Sequence, residues 1–202
     1  MTRTALLARP HGFIIPALCT IGILLIDFCL TFCNGSSSAA PVADRGSPDA
    51  LLRSYAIAHE TEDLTMYAEL LHDSFMFEWG PGYIGTLEYP PDRTWFRKAM
   101  AIELTREMFQ EPRILKIEID LCPIDGWRPC SAMELRALGA SPGTRALQIT
   151  LDPVIHLLIS ESCDESWVLD VHHTWFFVTV VPDPARPGSW VILHITEDIE
   201  PI

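Results

Sequence analysis

Hydrophobic and polar positions along this chain repeat first with a helical period and later with an extended one. Leu51, Leu52, Tyr55 and Ala58 share one helical face. Ahead of them stand Ser47, Pro48 and Asp49, an N-cap, a proline in the first turn and an acid at the positive end of the helix dipole. This predicts a helix from Pro48. After a break at "ETED", Asp63 caps a second, short helix with Leu64, Tyr67, Ala68 and Leu71 inward. "FMFEW", Phe75 to Trp79, then alternates as a strand until Gly80, Pro81 and Gly82 stop it.

Asp92 is placed to cap a long helix, "RTWFRKAMAIELTREMFQ", which Pro112 ends. Trp95, Ala99, Ile102 and Phe109 make its apolar stripe, a spacing that means core. In "RILKIEIDLCPI" the residues Ile114, Lys116, Glu118 and Asp120 oppose Leu115, Ile117, Ile119 and Leu121, a strand with one wet face. A helical turn or two is expected in "SAMELRAL". Three further strands follow, in "RALQITLDPVIHLLISES", broken or bulged at Asp152 and Pro153, in "SWVLDVHHTWFFVTVV" and in "SWVILHITEDI". Helices first and an antiparallel meander afterwards is an α+β plan, with a curved sheet wrapped around N-terminal helices. No internal repeat is visible.

The start of the chain follows neither period. Arg3, Arg9 and His11 precede "GFIIPALCTIGILLIDFCLTFC", whose only charge is Asp27, and this is the pattern of an export signal or anchor. Three fates stay open. Cys33 closes the run as a lipoprotein cysteine would, although Phe32 before it is large. "SSSAA" offers a cleavage site, and an uncleaved helix is the third route, weakened by Pro16, Gly22 and Asp27. Each places the remainder outside the cytoplasm, in an envelope or periplasm-like space. The organisation expected is a signal or anchor over residues 1–33, a flexible linker over 34–47 and one globular domain over 48–202.

Beyond residue 33 the chain carries 12 basic against 26 acidic residues. Nucleic acid and anionic membrane surfaces are therefore excluded as partners of the domain, leaving the N-terminal segment as its route to a membrane. Cys122, Cys130 and Cys163 form at most one pair; a Cys122–Cys130 bridge and free thiols stay open alternatives. His172 and His173 are strand neighbours pointing to opposite faces, and nothing brings His156 or His194 to an acid, so no metal is expected. No G-x-S-x-G occurs and no base neighbours a cysteine.

"LLRSYAIAHETEDLTMYAELLHDSFMFEWGPG" at the front, with an aromatic strand, a turn and "SWVILHITEDI" at the back, resembles the nuclear-transport-factor-2-like, or SnoaL-like, cone family. The resemblance covers most of residues 48–199 and is weakest around 125–145. It implies a cone with a pocket at one end, and it leaves function open, because such cones host isomerases, dehydratases, cyclases and proteins without activity. The ketosteroid isomerases of this shape use an Asp base with a Tyr and a protonated Asp as donors. Against them, Tyr55 falls at the donor tyrosine and Asp63 at the capping acid. Trp79 stands where the base belongs, with Glu78 one residue before it. The protonated-acid position falls on or beside His173, with Trp175 and Phe177 on the same face.

An indole cannot take a proton from carbon. The reading that follows is a non-catalytic exported or tethered cone domain, whose pocket of Tyr55, Trp79, His173, Trp175 and Phe177 holds a small apolar ligand or is filled by side chains. No cofactor is expected. One alternative is a cofactor-independent isomerase or dehydratase using His173 and Tyr55, with Glu78 a weak further candidate if a bulge turns it inward. Another is a scaffolding or homodimerising module that pairs through the outer face of the sheet.

Overall fold

The computed structural model describes residues 42–80, 94–141, 143–162, 165–171 and 174–199. The N-terminal apolar run with Cys33, the 81–93 loop with Asp92, and His172, His173 and Cys163 lie outside them. No helix among the described residues is long and apolar enough to cross a membrane.

Helix α1 spans Pro48–Glu60, and the Ser47 hydroxyl accepts from the Ala50 N–H as the sequence predicts. Helix α2, Leu64–Leu70, begins at Asp63, whose carboxylate accepts from the Met66 N–H at 2.8 Å. The chain then runs without a break into strand β1, Leu71–Trp79, and buries Leu71, Phe75, Phe77 and Trp79 on one face. Glu78 points the other way, so no bulge turns it inward.

The predicted long helix loses its first turn. Trp95–Arg97 forms a short strand, β2, on the edge of β1, and helix α3 covers only Lys98–Gln110. Pairing with Phe77 and Glu78 captures Phe96 and Trp95 as extended chain, overriding their helical spacing. The buried stripe of α3 is consequently Ala101, Thr105 and Met108, while Trp95 is exposed and Ile102 and Phe109 are half-buried.

Strand β3 is Ile114–Pro123 and β4 is the two residues Arg128–Pro129. Helix α4, Ala132–Ala137, carries a capping box between Ser131 and Glu134. Strand β5, Leu147–Ser162, is continuous through Asp152 and Pro153, and these two residues mark a change of partner. Up to Leu151 it pairs with β7, Thr174–Pro182, and from Ile155 with β6, Glu165–Val171. Proline fits that gap because it has no N–H to give a ladder. The run foreseen as one strand from Ser166 to Val181 is thus two. Strand β8, Trp190–Ile199, completes the sheet, ordered β2-β1-β8-β7-β5-β3 with β4 and β6 also on β5.

Contacts are antiparallel except between β1 and β8, which run parallel. Helices α1, α2 and α3 lie on one face of the sheet, with Leu51, Leu70, Phe75, Ile117, Leu151 and Ile192 essentially inaccessible between them. Outside, α4 lays Leu135 on Val181, Val191 and Leu193 as a small second core. The segment between residues 125 and 145, where the sequence fitted its resemblance least, therefore covers part of the outer sheet face.

One expectation changes at the N-terminal end. Asp44 and Arg45, at the end of the stretch read as linker, are docked. The Trp190 N–H donates to the Arg45 carbonyl at 2.8 Å, and the buried Arg45 guanidinium reaches the Glu69 carbonyl at 2.6 Å and Asp183 at 3.2 Å. Ser54 holds Asp44 through both its N–H and its carbonyl. His59, in the last turn of α1, is wholly buried. Cys122 and Cys130 are both free thiols, so no bridge joins them.

Candidate functional site

The register of β1 and β8 sets Leu71 beside Ile192 at one end and Trp79 beside Glu197 at the other. The Arg45 clamp on Trp190 closes the first end. A cavity of about 30 Å³ lies toward the second, walled by Tyr55, Tyr67, Phe77, Trp79, Phe96 and Phe176 among others. That volume is room for about two waters. Its lining is aromatic and aliphatic apart from the hydroxyls of Tyr55, Tyr67 and Thr105, and no charged residue belongs to it.

Strand alternation decides who faces it. Phe75, Phe77 and Trp79 alternate inward along β1. On β8 a register shift opposite Thr179 and Val180 places Leu193 and His194 on the outer side and returns Ile195 and Glu197 to the inner one. Phe176 is the partner of Glu197 on β7 and lines the cavity. Trp175 and Phe177, assigned to the pocket from the sequence, are half-buried on the other face, their rings 6.4 Å apart. The sequence count along this strand was one residue out of phase, and a one-residue slip exchanges the faces. Glu78 is likewise outside, about half exposed, with its carboxylate 3.5 Å from His194 Nε2.

Glu197 is the residue the sequence reading did not single out. It is 1% exposed, flanked by Trp79 on β1 and Phe176 on β7. Burial pushes its carboxyl up to about 8, against a smaller pull downward from the Trp79 indole N–H. The pull does not amount to a formed bond, for Trp79 Nε1 and Glu197 Oε2 both lie buried without a hydrogen-bond partner. At neutral pH Glu197 is therefore mainly a neutral acid in an apolar wall. Tyr55 is raised well above its ordinary value by burial, then by Tyr67 and Glu197, and stays a phenol. Burial pushes Tyr67 up to about 12, with the Thr105 hydroxyl pulling the other way.

Behind this wall His59 packs among Tyr55, Tyr67 and Phe109, with ring centroids 4.5, 5.1 and 5.8 Å away. Its Nδ1 donates to the Tyr55 carbonyl at 2.9 Å and its Nε2 has no partner, so the ring is the neutral tautomer, and burial lowers it to about 4. It serves as core between helices. Among the described residues no three His, Cys, Asp or Glu side chains come together as metal ligands. The one signal in the sequence is "HITEDI", which sets Glu197 and Asp198 on successive positions of a strand, so that one of the two must face inward.

The sheet order, the parallel β1–β8 contact and the helices held on the concave face decide the architecture. The chain has the nuclear-transport-factor-2-like cone fold. A nuclear transport factor 2-like superfamily protein from Salmonella enterica is 11% identical, with 75% of this chain and 87% of that one covered and a TM-score of 0.48. A nuclear-transport-factor-2-like protein of unknown function from Pseudomonas putida is 9% identical over 74% and 82%, at 0.44. A hexachlorocyclohexane dehydrochlorinase is 11% identical over 75% and 81%, also at 0.44. No family model matches the chain, and no curated protein does. Cone folds carry both enzymes and binding modules, so function rests on the interior just described.

Proposed function

We propose that this chain is a non-catalytic cone domain, exported or membrane-held through its N-terminal segment, that takes a small, mostly apolar molecule into its interior. One observation carries the reading: an indole, Trp79, occupies the inward place where a base is needed, and the neighbouring Glu78 faces out. The aromatic wall supplies affinity by burial of apolar surface. A ring-sized guest needs more than the standing 30 Å³, and Phe96 is the wall that yields. It is half-buried, sits on a three-residue edge strand and stacks on Phe77 at 4.7 Å. A guest ring takes its place against Phe77. Isothermal titration with benzene is the test. Binding by the full chain, tighter in Phe96→Ala, is expected; no heat of binding in either protein sinks the proposal.

A second reading has one observation behind it. Glu197, an acid near 8 beside the Tyr55 phenol, is a pair suited to proton transfer without a cofactor. The His173 of the pairing expected from the sequence lies outside the described residues, and Glu197 is the described acid that acts electrostatically on Tyr55. Incorporation of solvent deuterium at the α-carbon of cyclopentanone, lost in Glu197→Gln, would establish it over the non-catalytic one.

A further inference from the structure

We propose that the Arg45–Trp190 end of the cone is the face turned to the membrane and the cavity end points away from it, so that the interior takes its guest from the aqueous compartment and not out of the lipid. The inference rests on the N-terminal segment holding the domain to a bilayer, and adds which way the domain faces. It follows from where the chain leaves the fold. The Asp44 N–H donates to the Ser54 hydroxyl at 2.9 Å, and that hydroxyl donates to the Asp44 carbonyl at 2.8 Å. The Arg45 carbonyl accepts from the Trp190 N–H, while its guanidinium is held by the Glu69 carbonyl and the Asp183 carboxylate. Val42, just ahead of this clamp, is 88% exposed. The chain therefore comes away from the cone at one fixed point, beside Trp190.

Two lengths decide the orientation. From Trp190 to Glu197, which stands level with the cavity wall at Trp79 and Phe176, β8 runs about 23 Å at about 3.3 Å per residue. From Cys33, which ends the apolar run, to Val42 the chain spans at most about 30 Å whatever its conformation, at about 3.3–3.6 Å per residue. With the Arg45 end down, almost none of that reach is needed. To bring the cavity end to the bilayer, the same segment would have to run back along the flank of the cone for most of its full extension. Charge supplies no opposing pull: beyond residue 33 there are 12 basic against 26 acidic residues, so an anionic headgroup layer repels the domain as a whole. The inverted arrangement would press Trp95 into the lipid, since it is 42% exposed and pairs with Glu78 at the cavity end.

The experiment places the full chain in phosphatidylcholine vesicles containing phosphatidylethanolamine with a diazirine on its headgroup. After irradiation and flotation, labelled peptides are mapped by mass spectrometry. Both ends offer reachable side chains, Val42 and Arg186 at one and Trp95 at the other. Peptides carrying residues 42–46 or Arg186 are expected to be labelled at least about tenfold more than those carrying Trp95 or Trp175, because a tether that barely spans a distance gives a low effective concentration there. Twenty Gly and Ser residues inserted between Ala40 and Pro41 leave the docked residues untouched and add about 25 Å of reach, and the ratio falls to about threefold or less. Equal labelling of the two ends, a preference for Trp95, or a ratio that the insertion leaves unmoved overturns this inference and leaves the membrane-held domain standing. Failure of the chain to float with the vesicles overturns both.

Discussion

Glu197 makes a stability prediction that the hydrophobic parts of the molecule do not. Its carboxyl has an ordinary value of 4.5 and stands at about 8 in the folded chain. The folded state therefore holds a proton that the unfolded state releases, and stability declines as pH rises. The contribution is complete below 4.5 and is lost by the time pH passes 8. At about 1.4 kcal/mol per unit, the full swing is about 5 kcal/mol. The side chain is almost fully buried, so solvent screening takes little from this figure.

His59 and His194 act in the opposite direction. Burial lowers both from 6.5 to about 4, so each supports the fold above 6.5 and withdraws that support as pH falls toward 4. Between 4.5 and 6.5 the two histidines outweigh the one acid by about 1.4 kcal/mol per unit and the contribution of the three rises; above 6.5, of these three only Glu197 still titrates and the contribution falls at that same rate. Their combined contribution peaks near pH 6.5 and is about 2 kcal/mol lower by pH 8. In Glu197→Gln the upper limb disappears. Urea unfolding at half-unit intervals from pH 4.5 to 8.5 gives the difference in stability between variant and wild type, which grows in the variant's favour by several kcal/mol over the range. A difference constant to within about 1 kcal/mol would refute the placement of Glu197 as a neutral acid in the cone.

Replacing His59 by Gln removes one of the two acid-sensitive groups, and its acid limb is shallower than the wild type's by about 1.4 kcal/mol per unit between pH 4.5 and 6.5, read in the same urea series. Gly80→Ala is destabilising by about 1–3 kcal/mol, because a Cβ there meets Asp198 Cγ at 2.2 Å and its Cβ at 2.6 Å, and the latter is an atom that side-chain rotation cannot clear. Thermal unfolding measures it, and the double variant with Asp198→Gly recovers most of the loss. Arg45→Ala strands the buried Asp183 carboxylate and the Glu69 carbonyl, lowers stability by about 3 kcal/mol and frees residues 42–47, which limited proteolysis detects as new cleavage ahead of Ser47.

Where the sequence was legible, local chemistry and burial agreed. Ser47 and Asp63 cap the helices they precede, and Phe75, Phe77 and Trp79 alternate as a strand must when one face is covered. The errors fall where pairing partners decide. Trp95 and Phe96 have helical spacing yet are extended because β1 offers its edge, information held some twenty residues away. Arg45 reads as linker because nothing nearby in sequence announces Asp183 or Trp190.

The candidate site shows the same division more sharply. Trp79 was found by counting forward from Tyr55 through elements whose lengths the caps fix, and the count reached the correct face. Trp175 and Phe177 were placed by counting along a strand whose start was not fixed, and a shift of one residue put Phe176 in their stead. A register shift on β8 resets the alternation between Leu193 and Ile195, so that simple parity from Val191 and Leu193 puts Glu197 on the outer face. The irregularity that hid this acid from the sequence is also what brings it inside. Without the extra residue, Glu197 would share the outer face with Leu193, and its carboxyl would titrate near water instead of being held neutral beside Trp79.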